Sequence, residues 1–312
     1  PTRNAIGLSS PVARNDRLEM GELSPWRSVL PPRGGGKKAA TLLFALAISV
    51  ASTGTAAASD VVSFTADERA AILSHRPWPQ PMQADASNRV SGLPAAIALG
   101  RQLFFDRRLS LDGTRSCATC HDPARSFADG RDRSQGHERV DRNAIALANL
   151  RLNRWYGWAG AADSLWAQSL RPILDAKELA ANPELVRDRL AADAGIAAAY
   201  ARLFAAPIHA DPPERALVNL AKALAAFQET LLTGRTPFDD FRDALERGDA
   251  DAMARYPPAA LRGLKIFVGN GRCTACHFGP NFSNGEFDDV GVPYFAEAGR
   301  VAPGRHGGIA AL

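Results

Sequence analysis

C-A-T-C-H at residues 117–121 and C-T-A-C-H at residues 273–277 contain all four cysteines of a 312-residue chain. Two thiols within one tight turn suit a zinc site, thiol exchange or a covalently held cofactor, and the histidine that follows each pair discriminates among them. In c-type attachment the thiols add to the vinyl groups of haem while the adjacent imidazole reaches back to the iron, so all three side chains must lie together. A four-cysteine zinc site leaves both histidines without a use. A disulfide across so short a loop contributes little, because the entropy it removes from the unfolded chain grows with loop length. Cys117, Cys120 and His121, and again Cys273, Cys276 and His277, are therefore read as anchors for two covalently attached c-type haems, with His121 and His277 as iron ligands.

Around the anchors the chain reads as helix. Pro213-Glu214 opens a segment in which Leu217, Leu220, Leu224, Phe227 and Leu231 recur at spacings of three and four, one stripe on one helix face, until Thr233-Gly234 ends it. Segments 94–105 and 184–204 have the same character, and no stretch alternates as a strand does. Gly100-Arg101-Gln102-Leu103-Phe104 precedes the first pentapeptide and Gly263-Leu264-Lys265-Ile266-Phe267 the second, each on an expected helix that follows a proline. The repeat implies two related modules. They differ in that Cys117 lies thirteen positions after Phe104, whereas Cys273 lies six after Phe267.

The charge distribution excludes one class of partner. Net charge is +4 and the isoelectric point about 9.1, but residues 1–59 hold seven Arg or Lys and three Asp or Glu, so the remainder is formally neutral and offers no case for nucleic acid. The basic segment has the form of an export signal: Lys37 and Lys38, the apolar run Ala39 to Val50, then Ala56-Ala57-Ala58. Twelve apolar residues are too few for a bilayer, which needs about 20. The expectation is a leader over 1–58 cleaved near Ala58, a periplasmic mature chain without a membrane span, and Met20 as a candidate start.

Two haems can make an electron relay or an enzyme, and the difference is whether one iron keeps an open face supplied with acid–base groups. Residues 154–179 hold three tryptophans, one glutamine and one glutamate in a stretch too polar for pure core. The collinear series L-G-R-Q-L-F-F-D-x-R-L-S (99–110), C-A-T-C-H-D-P-A-R-S-F-A-D-G (117–130), R-N-A (142–144), R-W-Y-G-W-x-G-x-x-D-S-L-W-A-Q-S-L-R-P (154–172), A-F-Q-E-T-L (226–231) and R-C-T-A-C-H (272–277) resembles the bacterial di-haem cytochrome c peroxidases and their MauG-type relatives.

That resemblance implies an all-α fold of two cytochrome c-like haem domains in tandem, 59–235 and 236–312, the second incomplete. It implies that the haem of His121 reacts with hydrogen peroxide and that the haem of His277 takes electrons from a small exported c-type cytochrome or copper protein. Trp158 matches the family's inter-haem tryptophan. Glu178, twenty residues later, matches its distal glutamate, and Gln168 and Pro172 match other residues of that pocket. A carboxylate in a partly dry pocket, its pKa raised by desolvation, can shuttle the proton that peroxide cleavage requires. His137 stands where peroxidases place a histidine that caps the resting iron, a cap that MauG-type enzymes can lack, and Asn143 matches a residue near an inter-haem calcium. A homodimer is implied as well. His75, His209 and His306 have no motif around them and are read as surface or packing residues; Trp155 and Trp166 are read as packing.

The chain departs from the pattern in three places. Trp158-Ala159-Gly160 replaces W-D-G, Leu179 replaces a methionine, and the chain stops 35 residues after His277, before the family's sixth ligand to the second iron. Tyr294 is too near His277 to be that ligand. A C-terminal truncation is the expectation. The leading function is a peroxidase; a MauG-type oxidase acting on a partner protein and a non-enzymatic di-haem electron carrier stand beside it.

Overall fold

The computed structural model describes residues 62–287 and the backbone of 295–297 and 300–301. The leader with Lys37 and Lys38, Met20, Tyr294 and His306 lie outside the described residues. The fold is helical, with α1 (Ala66–Leu73), α2 (Pro94–Phe104), α3 (Cys117–Cys120), α4 (Leu165–Leu174), α5 (Pro183–Ala191), α6 (Ala194–Phe204), α7 (Pro213–Gln228), α8 (Pro237–Arg247), α9 (Ala250–Met253) and α10 (Pro258–Val268). One short antiparallel pair accompanies them, β1 (Phe295–Glu297) with β2 (Arg300–Val301).

The expected stripe on α7 is present, with Leu217, Leu220, Leu224 and Phe227 all buried. The helix is in fact buried on more than one face, since eleven of its sixteen residues are inside, five of them alanines. Small side chains let neighbouring helices approach closely, and α2, α4 and α5 all pack on α7. Gly100 shows how closely: a Cβ there would stand 1.9 Å from the Ala223 carbonyl oxygen. Polar side chains reinforce the same joints. Gln228 Nε2 donates to Ser169 Oγ (2.9 Å), tying α7 to α4, and Asn219 donates to Tyr200 Oη (2.7 Å), tying it to α6.

Two boundaries differ from the sequence reading. The helix expected over 184–204 is two helices, because Asp193 turns its carboxylate back onto the N–H groups of Gly195 (2.9 Å) and Ile196 (3.0 Å) and caps a new helix. α7 ends at Gln228 rather than at Thr233-Gly234; the Thr230 hydroxyl takes the Phe227 carbonyl (2.6 Å), and Asn149 N–H takes that of Leu231 (2.7 Å).

A second, smaller core gathers Ile72, Phe241, Leu245, Leu264 and Val268 from α1, α8 and α10. So α1, which lies within 59–235 by sequence, packs with residues beyond 236. A Lys265–Glu68 ion pair (2.5 Å) joins α10 to α1, and the buried Arg242 on α8 is matched by Glu246 (2.6 Å) and Asp243 (2.9 Å).

The repeated glycines Gly100 and Gly263 thus occupy different surroundings, since a Cβ on Gly263 would meet nothing within 4 Å. Gly100→Ala should destabilise the fold by about 1–3 kcal/mol or more, because backbone blocks the added methyl. Gly263→Ala should stabilise it by about 0.5–1 kcal/mol, the helix-propensity difference. Urea denaturation of the two variants measures both, and equal effects would contradict the packing described.

Candidate functional site

The first pentapeptide forms the single turn α3. Ser116 N–H donates to Thr119 Oγ1 (3.0 Å) at its start, and His121 N–H closes it on the Cys117 carbonyl (2.9 Å), so Cys117, Cys120 and His121 share one turn. His121 Nδ1 lies 2.9 Å from the Phe127 carbonyl oxygen. A carbonyl only accepts, so Nδ1 carries the proton and Nε2 keeps the lone pair that a metal needs. Burial lowers the His121 pKa and holds the ring neutral. Burial also pushes the Cys117 thiol up to about 12 and raises that of Cys120, the reverse of what thiol exchange requires.

These three side chains line one cavity. Its walls are largely apolar: Phe104 from α2, Leu165 from α4, Leu224 from α7, and Leu147, Leu150 and Leu179 from loops. Gln168, Pro172 and Glu178 converge on the same space, and so does Trp155, which the sequence reading left as packing. Gln168 Oε1 is buried without a hydrogen-bond partner. An orphaned acceptor in an apolar cavity that also holds two thiols and an imidazole lone pair fits a haem with room for a small polar ligand.

Glu178 sits in the turn after α4. Loss of solvation raises its pKa to about 7, with Asp175 and Asp141 adding to the effect and Arg171 opposing it. The turn is pinned by its neighbour loop, for His137 N–H donates to the Glu178 carbonyl (2.7 Å) and Glu138 N–H to that of Lys177 (2.8 Å). Gly136 makes this possible, since a Cβ there would stand 2.4 Å from the Lys177 carbonyl oxygen and 2.7 Å from Glu178 Cα. The His137 side chain is 42% exposed with Nδ1 4.0 Å from Asp112 Oδ2, and it is Gly136 that lines the cavity.

Trp158 occupies the tip of a small loop closed by the pairing of Tyr156 with Ala162 and by Gly160 N–H on the Gly157 carbonyl (3.0 Å). Both glycines have positive φ, 76° and 60°, which a side chain would strain. The indole is 47% exposed and its Nε1 donates to the Asn143 backbone carbonyl (2.9 Å). It lines a second cavity that shares Cys120, His121, Gln168 and Glu178 with the first. Trp158 therefore stands at the outer side of the site. Trp166 packs as expected, with Nε1 on Ser87 Oγ (3.0 Å). Among the described residues no cluster of three or more His, Cys, Asp or Glu side chains is placed to hold a metal ion.

The second pentapeptide repeats the first in its hydrogen bonds. His277 N–H closes on the Cys273 carbonyl (2.9 Å), and His277 Nδ1 donates to the Phe282 carbonyl (2.9 Å). Both accepting phenylalanines have left-handed backbone, φ 60° at Phe127 and 52° at Phe282, and each begins an F-x-[DN]-G turn: Phe127-Ala128-Asp129-Gly130 and Phe282-Ser283-Asn284-Gly285. The sequence reading missed this second repeat, although it stands six and five positions after the two histidines. Unlike His121, His277 is exposed. The tryptophan segment reaches this turn through Asn281, which donates to Asn153 Oδ1 (2.9 Å), and through an Arg154–Glu286 ion pair. His209 is exposed as expected; His75 is buried at 2% exposure.

Two C-x-x-C-H turns with pre-oriented imidazoles, one of them opening into an apolar cavity with a carboxyl and a carboxamide, define the site of a haem protein. Residues 94–247 match the family model of the di-haem cytochrome c peroxidases, and the chain belongs to that family. It is 39% identical over 209 residues to the methylamine utilization protein MauG of Methylorubrum extorquens, covering 66% of this chain and 56% of the relative. It is 31% identical over 217 residues to the cytochrome c551 peroxidase of Pseudomonas aeruginosa, covering 68% and 58%. The chain thus spans a little over half the length of these relatives. The structure resembles that of a diheme peroxidase of Burkholderia thailandensis with a TM-score of 0.58 at 25% identity, covering 74% of this chain and 62% of the other.

Glu178 links the site to pH. A carboxyl whose pKa is higher in the folded than in the unfolded chain binds its proton more tightly when native, so stability falls as pH rises from the ordinary carboxyl range towards 7. Glu178→Gln carries no charge at any pH and removes that slope. Its melting temperature should exceed that of wild type at about pH 8 and converge on it near about pH 4, where both side chains are neutral. Thermal melts across that range test this, and a difference independent of pH would contradict it.

Proposed function

We propose that this chain is part of a di-haem c-type peroxidase, an oxidoreductase that reduces hydrogen peroxide to water with electrons from a small exported redox protein, either a c-type cytochrome or a copper protein. The observation that carries the proposal is the convergence of His121, Glu178 and the orphaned Gln168 Oε1 on one apolar cavity. Cys117, Cys120 and His121 would hold the first haem and Cys273, Cys276 and His277 the second. A haem held at the first site would supply the redox-active iron that peroxide reduction needs.

Glu178 has the task of moving a proton from one peroxide oxygen to the other as the bond between them breaks. A carboxyl with a pKa of about 7 can both accept and return that proton near neutrality, which an ordinary surface glutamate does poorly. Gln168 Oε1 accepts a hydrogen bond from the bound peroxide and holds it beside the carboxyl. Two electrons and two protons complete the conversion of one peroxide to two waters. The electrons enter at the site of His277, and Trp158 is the bridge towards that of His121; its loop lies beside the segment that Asn281 and Glu286 tie to the second turn. Asn143, whose carbonyl positions the Trp158 indole, is the candidate for an inter-haem calcium.

Export to the periplasm by the leader belongs to this proposal; among the described residues no helix is long and apolar enough to cross a membrane. Tandem haem domains meeting near residue 235 and a homodimer belong to the same proposal. A second reading, a MauG-type oxidase acting on a partner protein, is favoured by one observation: the His137 side chain lies towards Asp112 and does not line the cavity.

Two measurements decide these points. Haem-matured full-length protein should carry two haems by intact mass and the Cys273→Ala/Cys276→Ala variant one; a single haem in both removes the second site. With a reduced cytochrome or copper protein as donor, Glu178→Gln should lose about 10²–10⁴-fold in peroxide turnover while keeping its c-type absorption. A long-lived oxidised species without turnover in wild type favours the second reading, and absence of c-type absorption overturns both.

A further inference from the structure

His75 follows α1 and is 204 residues distant from its main partner, yet it is 2% exposed. Its Nδ1 lies 2.8 Å from the Gly279 carbonyl oxygen, which can only accept, so Nδ1 carries the proton. Its ring stacks on Phe282 with centroids 4.0 Å apart and planes 24° apart, and meets Phe238 edge-on at 5.4 Å. The two contacts fall on the two ends of one short turn. The Gly279 carbonyl also accepts from Phe282 N–H (3.2 Å), so both its lone pairs are engaged, one by the turn itself and one by His75.

That turn presents the Phe282 carbonyl to His277 Nδ1. Phe282 holds φ 52°, a costly conformation for a bulky residue that persists only where the surroundings impose it. In the first module the core does this: Phe127 packs against the buried Phe104 (6.0 Å). In the second, Phe282 is 40% exposed; Phe267 (6.2 Å) and Phe238 (5.3 Å) meet it edge-on, and the nearest ring is His75, brought in with α1, which alone stacks on it and also bonds the start of its turn. Packing alone does not explain the choice of imidazole, because Nε2 is buried without a hydrogen-bond partner and a phenylalanine would fill the space with no such defect.

We propose that His75 is a positioning residue for the second haem, holding the 279–282 turn so that the Phe282 carbonyl fixes and polarises His277. The inference rests on the reading of His277 as an iron ligand. A hydrogen bond to the far nitrogen of a ligating imidazole makes the near one more basic and favours the oxidised metal. Loosening the turn should therefore raise the reduction potential of the second haem and leave the first unchanged.

The test is a spectroelectrochemical titration of the haem-loaded full chain as wild type, His75→Phe and His75→Asn. Phenylalanine keeps the ring and loses the donor, whereas asparagine keeps a donor near Nδ1 and loses the stack. His75→Phe should change the ratio of oxidised to reduced second haem tenfold at fixed potential, a rise of about 59 mV for one electron. His75→Asn should recover part of that change. Two loaded haems with unchanged potentials in both variants, or equal shifts at both haems, overturn the inference alone. A wild-type protein with one haem overturns the reading of His277 and the inference with it.

Discussion

The close burial of α7 is the constraint on which the rest depends. A helix sunk among α2, α4 and α5 must be lined with small residues, and its alanines let Gly100 of α2 come into backbone contact at Ala223. From that fixed position α2 contributes Phe104 and α7 contributes Leu224 and Gln228 to the cavity beside α3. The Gln228–Ser169 hydrogen bond sets α4 against them, and α4 carries Gln168 and leads into the turn of Glu178. A shift of α7 would thus move three walls of the site together.

The two pentapeptides share one local solution and differ in what surrounds it. In each, an F-x-[DN]-G turn offers a backbone carbonyl to the histidine Nδ1, so the imidazole is oriented and its tautomer chosen before any metal arrives. The first turn is backed by the large core. The second leans on the smaller core, with α1 crossing from the other end of the chain to take part in it. An enclosed pocket favours chemistry that must exclude bulk water, and an exposed turn favours exchange of electrons with a partner. The half-buried His121 and the exposed His277 thus differ in surroundings while sharing the C-x-x-C-H spacing.

What could be read from sequence follows the range of the interactions involved. The stripe on α7 and the proline-led starts of α2 and α10 are local patterns and stand where expected. The break at Asp193 is also local, but a capping carboxylate inside an apolar pattern is weaker than the pattern and is overlooked. That each C-x-x-C-H gathers its three side chains in one turn was legible, because the spacing itself forces it. Glu178 was legible only through resemblance: it lies on a turn rather than a periodic element, and its raised pKa comes from burial that spacing does not encode. His75 had no local signal at all, since both partners lie about 200 residues away, whereas the F-x-[DN]-G repeat was present in the sequence and simply shorter than the patterns sought.

Gly136 shows how one position without a side chain can serve the chemistry. The loop after the first pentapeptide must lie on the Glu178 turn closely enough for His137 N–H to reach the Glu178 carbonyl, and any Cβ at 136 would strike the Lys177 carbonyl. The same contact orders the backbone that carries the carboxyl and removes water beside it, and loss of water is what lifts the pKa towards 7. In the same loop the His137 side chain lies towards Asp112 and does not line the cavity. The burial that raises the Glu178 pKa and the outward placing of His137 therefore go with one close approach of two loops, not with two independent features.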